Sequence, residues 1–408
     1  MSEIYENLLT ITKYELLGKL PDPFVFDDGH RVETEKDWAE RRKEIYKSAV
    51  ELQYGTIPPS PESVEVEPLY LGAVGKPSGY KVTVRANGKS LSFKMVLFRA
   101  RSLKAPAVIS GDLCFQYAYD KEYIETFTNS DINLVLFDRT EIAPDIAPYN
   151  LKNLGTEETF EYARGKEIFD GLDKGCCGGP LKEMFPDYTF GAVGAWAWGY
   201  SVCVDALTVL GNVDTDFIVF TGHSRGGKAA ALAGAIDERA KIVNPNASCA
   251  GGYGSYRIKI EAVAENGKKS ISEPISNIFK VFPSWMGQEL RPYIDREAEL
   301  PFDAHYLKAL VAPRILFVSE AAGDIWANPV GSYQTTEAAA EVYKFLGCEE
   351  NLIWYFRRGE HYQKIEDIAQ LVNIINHVRG GEELNDKFFK LPFKKLEKAY
   401  DWTCPEKK

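Results

Sequence analysis

The segment that most constrains the fold of this chain is residues 217–240, which read FIVFTGHSRGGKAAALAGAIDERA. It starts as an apolar run of β-forming residues, turns at a glycine, presents a serine and continues as an alanine-rich run typical of a helix. Gly222, Ser224 and Gly226 fit the pattern Gly-x-Ser-x-Gly, in which a serine occupies a sharp turn between a strand and a helix. Side chains at the two glycine positions would collide in such a turn. The segment therefore predicts a strand, a tight corner that exposes Ser224, and a helix that starts at Arg225.

Strands and helices alternate along the rest of the chain. Residues 80–100 indicate a hairpin, because two alternating runs flank an Asn-Gly turn signal. Continuous apolar runs typical of strands buried on both faces follow at residues 105–112, 132–140, 240–245, 314–320 and 352–359. Helical patterns separate most of these runs. The order predicts an α/β fold, with a mostly parallel central sheet and helices on both faces in a three-layer sandwich.

The size and composition are those of an ordinary globular protein. The chain has 408 residues, of which 45% are hydrophobic and 26% charged, so a sizeable core and a single globular unit are expected. Residues 1–75 are interpreted as an N-terminal arm that wraps the core with an amphipathic helix near residues 35–55. Residues 76–408 are interpreted as the α/β domain that carries Ser224.

Charge and cysteine content exclude several other classes of protein. The net charge of −11 and the lack of a Lys/Arg cluster argue against a nucleic-acid partner. The first residues lack the basic and apolar parts of a signal peptide, so a cytoplasmic protein is expected. The sequence contains no uncharged apolar stretch of about 18 residues, so no membrane span is predicted. The seven cysteines have no metal-site spacing and favour free thiols. The adjacent pair Cys176-Cys177 could form a disulfide only through a strained turn.

A serine at its ordinary pKa needs a general base, and histidine is the usual one. The α/β-hydrolase fold supplies its partners in the chain order nucleophile, acid, histidine. Of the five histidines, only His361 lies in a polar loop directly after the last predicted strand. His30 precedes the sheet, and His305 precedes the strand expected to supply the acid. His377 lies near the end of the last helix. His223 adjoins the serine, and its side chain is expected to leave the corner in another direction. His361 is therefore the candidate base.

Two carboxylates follow the strand predicted at residues 314–320. Glu320 is at the strand end, where it could cap or pair locally. Asp324 lies in a turn marked by Gly323 and an Asn-Pro pair, which could bring it back toward His361. The acid that orients the base is therefore expected to be Asp324, with Glu320 as the alternative.

The chain resembles a known family at several of these segments. They are GHSRGGK (222–228), AWAWGYSVCVDAL (195–207), FPSWM (282–286), APRILFVSEAAGDIWANP (312–329) and RRGEH (357–361). Taken in their order along the chain, they resemble the bacterial branch of the glucuronoyl esterases, carbohydrate esterase family 15. The likeness runs from about residue 95 to residue 380. Its most specific part is the arginine and lysine that follow the serine.

The resemblance implies roles for further residues. Arg225 matches an arginine whose backbone N–H and guanidinium stabilise the oxyanion, and Lys228 matches a lysine that contacts glucuronate hydroxyls. Trp326 matches a tryptophan that lines the sugar pocket, and Glu261 falls where the family has a sugar-binding glutamate. Trp285 is a further candidate aromatic for that pocket, and it could equally belong to the core.

Two positions depart from the family pattern. Many members carry their catalytic glutamate where this chain has Ala247, in NPNASCAGG, which leaves the acid role to Asp324. The fungal pattern also has a cysteine, bridged to another near the histidine, where this chain has His223. That bridge is therefore not expected here.

The resemblance and the residues together predict a serine esterase that hydrolyses esters of (4-O-methyl-)glucuronic acid through an acyl-enzyme. The expected partner is a small-molecule or oligosaccharide uronate ester, and the chemistry requires no metal or cofactor. Two alternatives remain open. One is an acetylxylan or general carboxylesterase on the same scaffold, and the other is a catalytically silent carbohydrate-binding homologue.

Overall fold

The structure is a computed structural model that describes residues 8–145 and 177–407. The strands are β1 Leu9–Leu16, β2 Ser63–Tyr70, β3 Pro77–Ala86, β4 Lys89–Phe98, β5 Pro106–Ser110, β6 Asn133–Phe137, β7 Asp214–His223, β8 Ala240–Asn246, β9 Ile258–Ala264, β10 Lys269–Ile271, β11 Ile315–Ala321 and β12 Leu352–Arg357. The helices are α1 Glu35–Tyr46, α2 Leu52–Tyr54, α3 Lys121–Asn129, α4 Pro180–Met184, α5 Ala192–Leu210, α6 Arg225–Ile236, α7 Ile275–Val281, α8 Ala304–Ala309, α9 Pro329–Leu346 and α10 Ile365–Gly380. A π-helical turn, Lys47–Glu51, joins α1 and α2.

The chain divides into two compact units. Unit 1 comprises Met1–Ala49, Val219–Glu273 and Arg296–Lys408, and unit 2 comprises Val50–Ile218 and Pro274–Asp295. This grouping does not follow the interpretation of residues 1–75 as one arm, because β1 pairs with β9 of unit 1 whereas β2 pairs with β3 of unit 2.

Unit 1 contains the parallel strands that carry the candidate site. β11 pairs in parallel with β8 on one side and with β12 on the other, and Ser319 of β11 lies opposite Asn246 of β8. β7 is the next strand after β8 in the order, and its last residues, from Val219, belong to this unit. Parallel strands end at the same edge of a sheet, so the segments after β7, β8, β11 and β12 meet there.

Unit 2 contains the order β5-β6-β4-β3-β2. β5 and β6 are parallel, whereas β4 pairs antiparallel with β6 and with β3. The predicted hairpin is β3–β4, in which Ala86 lies opposite Lys89. Its turn residues Asn87 and Gly88 have φ values of 51° and 70°, the positive angles that an Asn-Gly turn supplies. The strand and helix alternation confirms the α/β fold class.

A second sheet in unit 1 was not indicated by the sequence patterns. It has the antiparallel order β1-β9-β10, with Leu9 opposite Ala264 and Leu16 opposite Ile258. Its apolar face belongs to a buried cluster that also contains Ile325, from the segment after β11, and Phe356 of β12. The small sheet therefore supports the two segments that carry Asp324 and His361.

The long helix α5 of unit 2 is apolar on almost every side. By length and composition alone it could cross a membrane, but 72% of its most apolar stretch is buried inside the fold. It ends at Gly211, whose φ of 64° is the left-handed conformation typical of a helix terminus. Its composition is that of a core helix.

Candidate active site

Ser224 occupies the corner between β7 and α6. Its φ of 56° and ψ of −118° lie in a region that a residue with a Cβ rarely adopts, so the surrounding structure has to hold it there. The Ser224 N–H donates to the main-chain carbonyl of Asn246 at 2.9 Å. Gly222 and Gly226 are buried as the pattern requires. At Gly227, the residue after Gly226 in α6, a Cβ would lie 2.8 Å from the same Asn246 oxygen.

Ser224, His361 and Asp324 form a hydrogen-bonded series. Oγ of Ser224 lies 2.8 Å from Nε2 of His361, and Nδ1 of His361 lies 2.5 Å from Oδ2 of Asp324. The Asp324 carboxylate is buried, and its Oδ1 accepts the N–H of Ala327 at 3.2 Å. A carboxylate on Nδ1 fixes the tautomer in which Nε2 can accept the serine proton. The structure thus brings together the three residues expected as nucleophile, base and acid.

Glu320, the alternative acid, is not bonded to His361. Its side chain is fully buried, and Oε1 accepts the Ser332 hydroxyl at 2.9 Å, while Oε2 has no partner among the described residues. Burial, together with the nearby charge of Asp324, raises the pKa of this carboxyl to about 8. Buried Lys308 donates to the Ser332 carbonyl and to two threonine hydroxyls of α9, and burial lowers its pKa to about 7. Glu320 therefore belongs to a buried polar network behind the site.

The remaining histidines make other contacts. His305 is buried and bonds to the carbonyl of Pro21, and His377 bonds to the carbonyl of Glu382. His30 bonds to its neighbour Asp28. His223 differs from expectation, because its ring does not leave the vicinity of the base: the ring centroids of His223 and His361 are 4.8 Å apart.

Lys228 makes three hydrogen bonds inside the protein. Its buried ammonium donates to the carbonyls of Ser248 and Ala250 and to Oε2 of Glu273, at 2.8, 2.5 and 3.0 Å. An ammonium has three N–H donors, so these bonds use its full capacity. Lys228 thereby joins the first turn of α6 to the loop after β8. Arg225, the first residue of α6, is half-buried beside Ser224.

The carboxylate expected near the sugar is not the one that the structure places beside Lys228. Glu261, expected near the sugar, is half-exposed on β9 and lies 3.8 Å from the ammonium of Lys13 on β1. Glu273, which the sequence analysis did not select, is buried beside Lys228, and its N–H donates to the carbonyl of Trp326. The signal available in the sequence was a lone carboxylate in an otherwise uncharged stretch, residues 270–279.

The two candidate tryptophans have different surroundings. Trp326 is half-buried and packs against Ala247, Cys249 and Ala327, so part of its ring remains accessible in unit 1. Trp285 is buried in unit 2, where its indole N–H donates to Asp145 and its ring stacks on Phe282 at 3.8 Å. These contacts are typical of a core aromatic.

Within residues 8–145 and 177–407, no group of three or more His, Cys, Asp or Glu side chains could hold a metal ion. The buried thiol of Cys177 donates to the main-chain carbonyl of Phe190 at 3.7 Å, and its neighbour Cys176 lies outside the described residues. What the site offers is a serine with an aligned imidazole and carboxylate, at the start of a helix whose first N–H groups point toward developing negative charge. That arrangement is suited to acyl transfer.

Comparisons with known proteins point to one group of esterases. The family described as glucuronyl esterase, fungi, matches residues 178–347. A 4-O-methyl-glucuronoyl methylesterase of Podospora anserina is 28% identical over 82% of this chain and 62% of its own length. A second, from Phanerochaete chrysosporium, is 28% identical over 81% of this chain and 63% of its own length. The chain thus spans less than two thirds of these curated relatives.

A solved glucuronoyl esterase of carbohydrate esterase family 15, from Caldicellulosiruptor kristjansonii, has the same fold. Its TM-score is 0.75 at 26% identity, over 95% of this chain and 97% of that one. The chain is therefore similar to glucuronoyl esterases in both sequence and fold, and these likenesses support membership of that family. Its α/β-hydrolase fold is confirmed by the same likeness.

One position at which this chain departs from the pattern of the glucuronoyl esterases that it resembles has a visible structural setting. Ala247, where many members carry the acid, has a φ of 45° and packs under Trp326. Asp324 meets the imidazole from the segment after β11 instead.

Proposed function

We propose that this chain hydrolyses esters of glucuronic acid or 4-O-methylglucuronic acid through an acyl-enzyme on Ser224. The observation that carries the proposal is the series Ser224 Oγ, His361 Nε2, His361 Nδ1 and Asp324 Oδ2, with separations of 2.8 and 2.5 Å. The names of the related 4-O-methyl-glucuronoyl methylesterases support the choice of a uronate ester over other esters.

In the acylation step, Nε2 of His361 takes the proton of the Ser224 hydroxyl as Oγ attacks the ester carbonyl. Asp324 stabilises the imidazolium that forms, because its buried carboxylate accepts the Nδ1 proton. The oxyanion develops at the start of α6, where Arg225 and the first-turn N–H groups supply positive charge. The imidazolium then protonates the departing alcohol as the tetrahedral intermediate collapses.

Deacylation repeats these steps with water. His361 takes a proton from a water molecule, the resulting hydroxide attacks the acyl carbon, and Oγ of Ser224 leaves with the proton returned by His361. The products are the free uronic acid and the original serine. The described residues supply every proton transfer that this cycle requires.

Recognition of the uronate ring is assigned to the side of Ser224 where Lys228, Glu273 and Trp326 lie. The half-buried indole of Trp326 offers an apolar face on which a sugar ring stacks. Glu273 holds the Lys228 ammonium, so a sugar hydroxyl that bonds to Lys228 has to share donors already used by Ser248 and Ala250. These bonds hold the Lys228 ammonium in one position. A sugar hydroxyl can therefore share its N–H donors only from a narrow range of positions.

A substrate panel tests the proposal. The purified protein should hydrolyse methyl and benzyl esters of glucuronic acid faster, in kcat/KM, than acetylated xylan or simple acetate esters. Ser224→Ala should lower hydrolysis by at least about 10⁴-fold, because the nucleophile is lost. Ser92→Ala, at a serine of β4 bonded to Thr83, is the matched control and should keep full activity.

The panel also separates the alternatives. Preference for acetylated xylan or simple esters would replace the proposal with a broader carboxylesterase. A protein that hydrolyses none of the esters, and whose Ser224 does not react with a fluorophosphonate, would instead be a silent binding homologue, since only an activated serine reacts with that probe.

A further inference from the structure

A second histidine contacts the base of the site. The rings of His223 and His361 have centroids 4.8 Å apart and planes at 43° to each other. His361 lies in the loop after β12, and 36% of its side chain is exposed. Its two nitrogens bond to Asp324 and Ser224 in the plane of the ring. Those bonds restrain tipping of the ring out of its plane only weakly, so packing against its face has to provide that restraint.

The ring of His223 is itself held by a directional hydrogen bond. Its Nδ1 lies 2.7 Å from Oδ1 of Asn246. Nδ2 of Asn246 donates to the main-chain carbonyl of Ser319 at 3.2 Å and to the Ser319 hydroxyl at 2.9 Å. A carbonyl can only accept, which orients the amide with Oδ1 toward His223. Nδ1 of His223 is therefore the protonated nitrogen, and the ring has one preferred orientation.

Asn246 is anchored in turn by a row of buried polar side chains at the ends of three strands, here called the strand-end polar row. Its members are Thr221 of β7, Asn244 and Asn246 of β8 and Ser319 of β11. Asn244 donates to the Ser319 hydroxyl at 3.1 Å, and the Thr221 hydroxyl donates to Asn244. All four side chains are buried, so breaking any of these bonds leaves a desolvated polar atom. The row is therefore a rigid support.

Asn246 also holds the nucleophile Ser224. The main-chain carbonyl of Asn246 accepts the Ser224 N–H at 2.9 Å. Its side chain fixes the ring that contacts His361. Ser224 and the ring of His223 are thus both anchored to Asn246 on β8.

We propose that His223 is a positioning residue, which packs against His361 and keeps its imidazole aligned between Asp324 and Ser224, with Asn246 and the strand-end polar row as its anchor. The inference rests on the proposed esterase function, and it deepens the account of the same site. His223 acts through His361, so it changes the rate of acyl transfer and leaves substrate affinity unaltered.

The test compares two substitutions at His223. His223→Ala removes the ring and should lower kcat on methyl glucuronate at least tenfold, with KM within twofold of the parent value. It should slow fluorophosphonate labelling of Ser224 by a similar factor. His223→Phe restores a planar ring and should recover the labelling rate to within about threefold.

A second pair of variants tests the anchor. Asn246→Ala keeps the main-chain carbonyl that holds Ser224, but it releases Nδ1 of His223, so labelling should slow about three- to tenfold. In the His223→Phe background the same substitution should have little further effect, because phenylalanine cannot bond to Asn246. His377→Ala, at an exposed histidine of α10, is the matched control and should label at the parent rate.

Thermal unfolding of each variant separates loss of fold from loss of alignment. The proposal is overturned if folded His223→Ala labels within twofold of the parent, if His223→Ala and His223→Phe slow equally, or if the parent Ser224 does not label at all. Labelling that depends on His223 as described, in a protein that leaves uronate esters intact, would support the positioning role and reject only the proposed substrate.

Discussion

The Asp324 carboxylate meets Nδ1 of His361 at 2.5 Å, across a gap of 37 residues in the chain. Glu320, only four residues earlier, faces Ser332 instead. We expect Asp324→Asn to lower kcat roughly 10³- to 10⁴-fold, since the amide cannot stabilise the imidazolium. Glu320→Gln should keep activity within about threefold. Initial rates on methyl glucuronate check both, and equal losses would assign the acid role to both carboxylates.

The buried carboxyl of Glu320 should make stability depend on pH. Its folded-state pKa of about 8 exceeds its ordinary value of 4.5, so folding takes up a proton between these pH values and stability falls as pH rises through that window. Lys308 acts in the opposite direction, because its pKa is lowered to about 7 in the folded protein: above pH 7 it makes stability rise with pH, and below pH 7 it has little effect. Between pH 5 and 7, Glu320→Gln should therefore gain free energy of unfolding relative to the parent by up to about 1.4 kcal/mol per pH unit.

Urea unfolding at pH 5, 6 and 7 measures this difference directly. Glu382→Gln, an exposed substitution, serves as the control and should show a constant offset from the parent across the same range. A constant offset for Glu320→Gln as well would mean that Glu320 is ionised in the folded protein.

The buried ion pair of Lys228 and Glu273 should show strong coupling in a double-mutant cycle. Removing one partner leaves an uncompensated buried charge, so Lys228→Met or Glu273→Leu alone should cost about 3–5 kcal/mol. The double variant should lose much less than the sum of the two single losses. Additive losses in urea unfolding would contradict a direct interaction.

Gly227 should tolerate no side chain. A Cβ there would lie 2.8 Å from the Asn246 carbonyl oxygen and 3.1 Å from that of Gly222, both main-chain atoms of the corner around Ser224. Gly227→Ala should destabilise the protein by about 1–3 kcal/mol and slow labelling of Ser224. Gly380→Ala, in α10 with open space around it, should be neutral or stabilise by up to about 1 kcal/mol. Thermal unfolding of the two variants distinguishes these outcomes.

Local rules explain what could be predicted from the sequence. The corner at Ser224 and the turn at Asn87-Gly88 each depend on a few adjacent residues with unusual backbone angles. The choice of Asp324 rested on Gly323, and the structure gives the reason: a Cβ at Gly323 would lie 2.6 Å from the carbonyl oxygen of Gly359, in the loop that carries His361. A glycine is required for that close approach.

Pairings between distant segments could not be predicted. β1 joins β9 across about 250 residues, and no local pattern specifies that register. The placement of Glu261 and Glu273 depends on such pairings, because β9 and β10 form a hairpin: Glu261 on β9 lies near Lys13 of β1, whereas Glu273, after β10, lies beside Lys228. Asn246 likewise has an ordinary sequence context, and only the parallel register of β8 and β11 places it opposite Ser319.

The shared anchor at Asn246 has a mechanical consequence. Thermal breathing of β8 displaces the amide of Ser224 and the ring of His223 in the same direction, because both are tethered to one residue. Because the ring of His223 packs against His361, we expect such common-mode displacement to change the positions of nucleophile and base more than the distance between them. We expect the 2.8 Å gap across which the proton must pass to vary less, for this reason, when the sheet fluctuates.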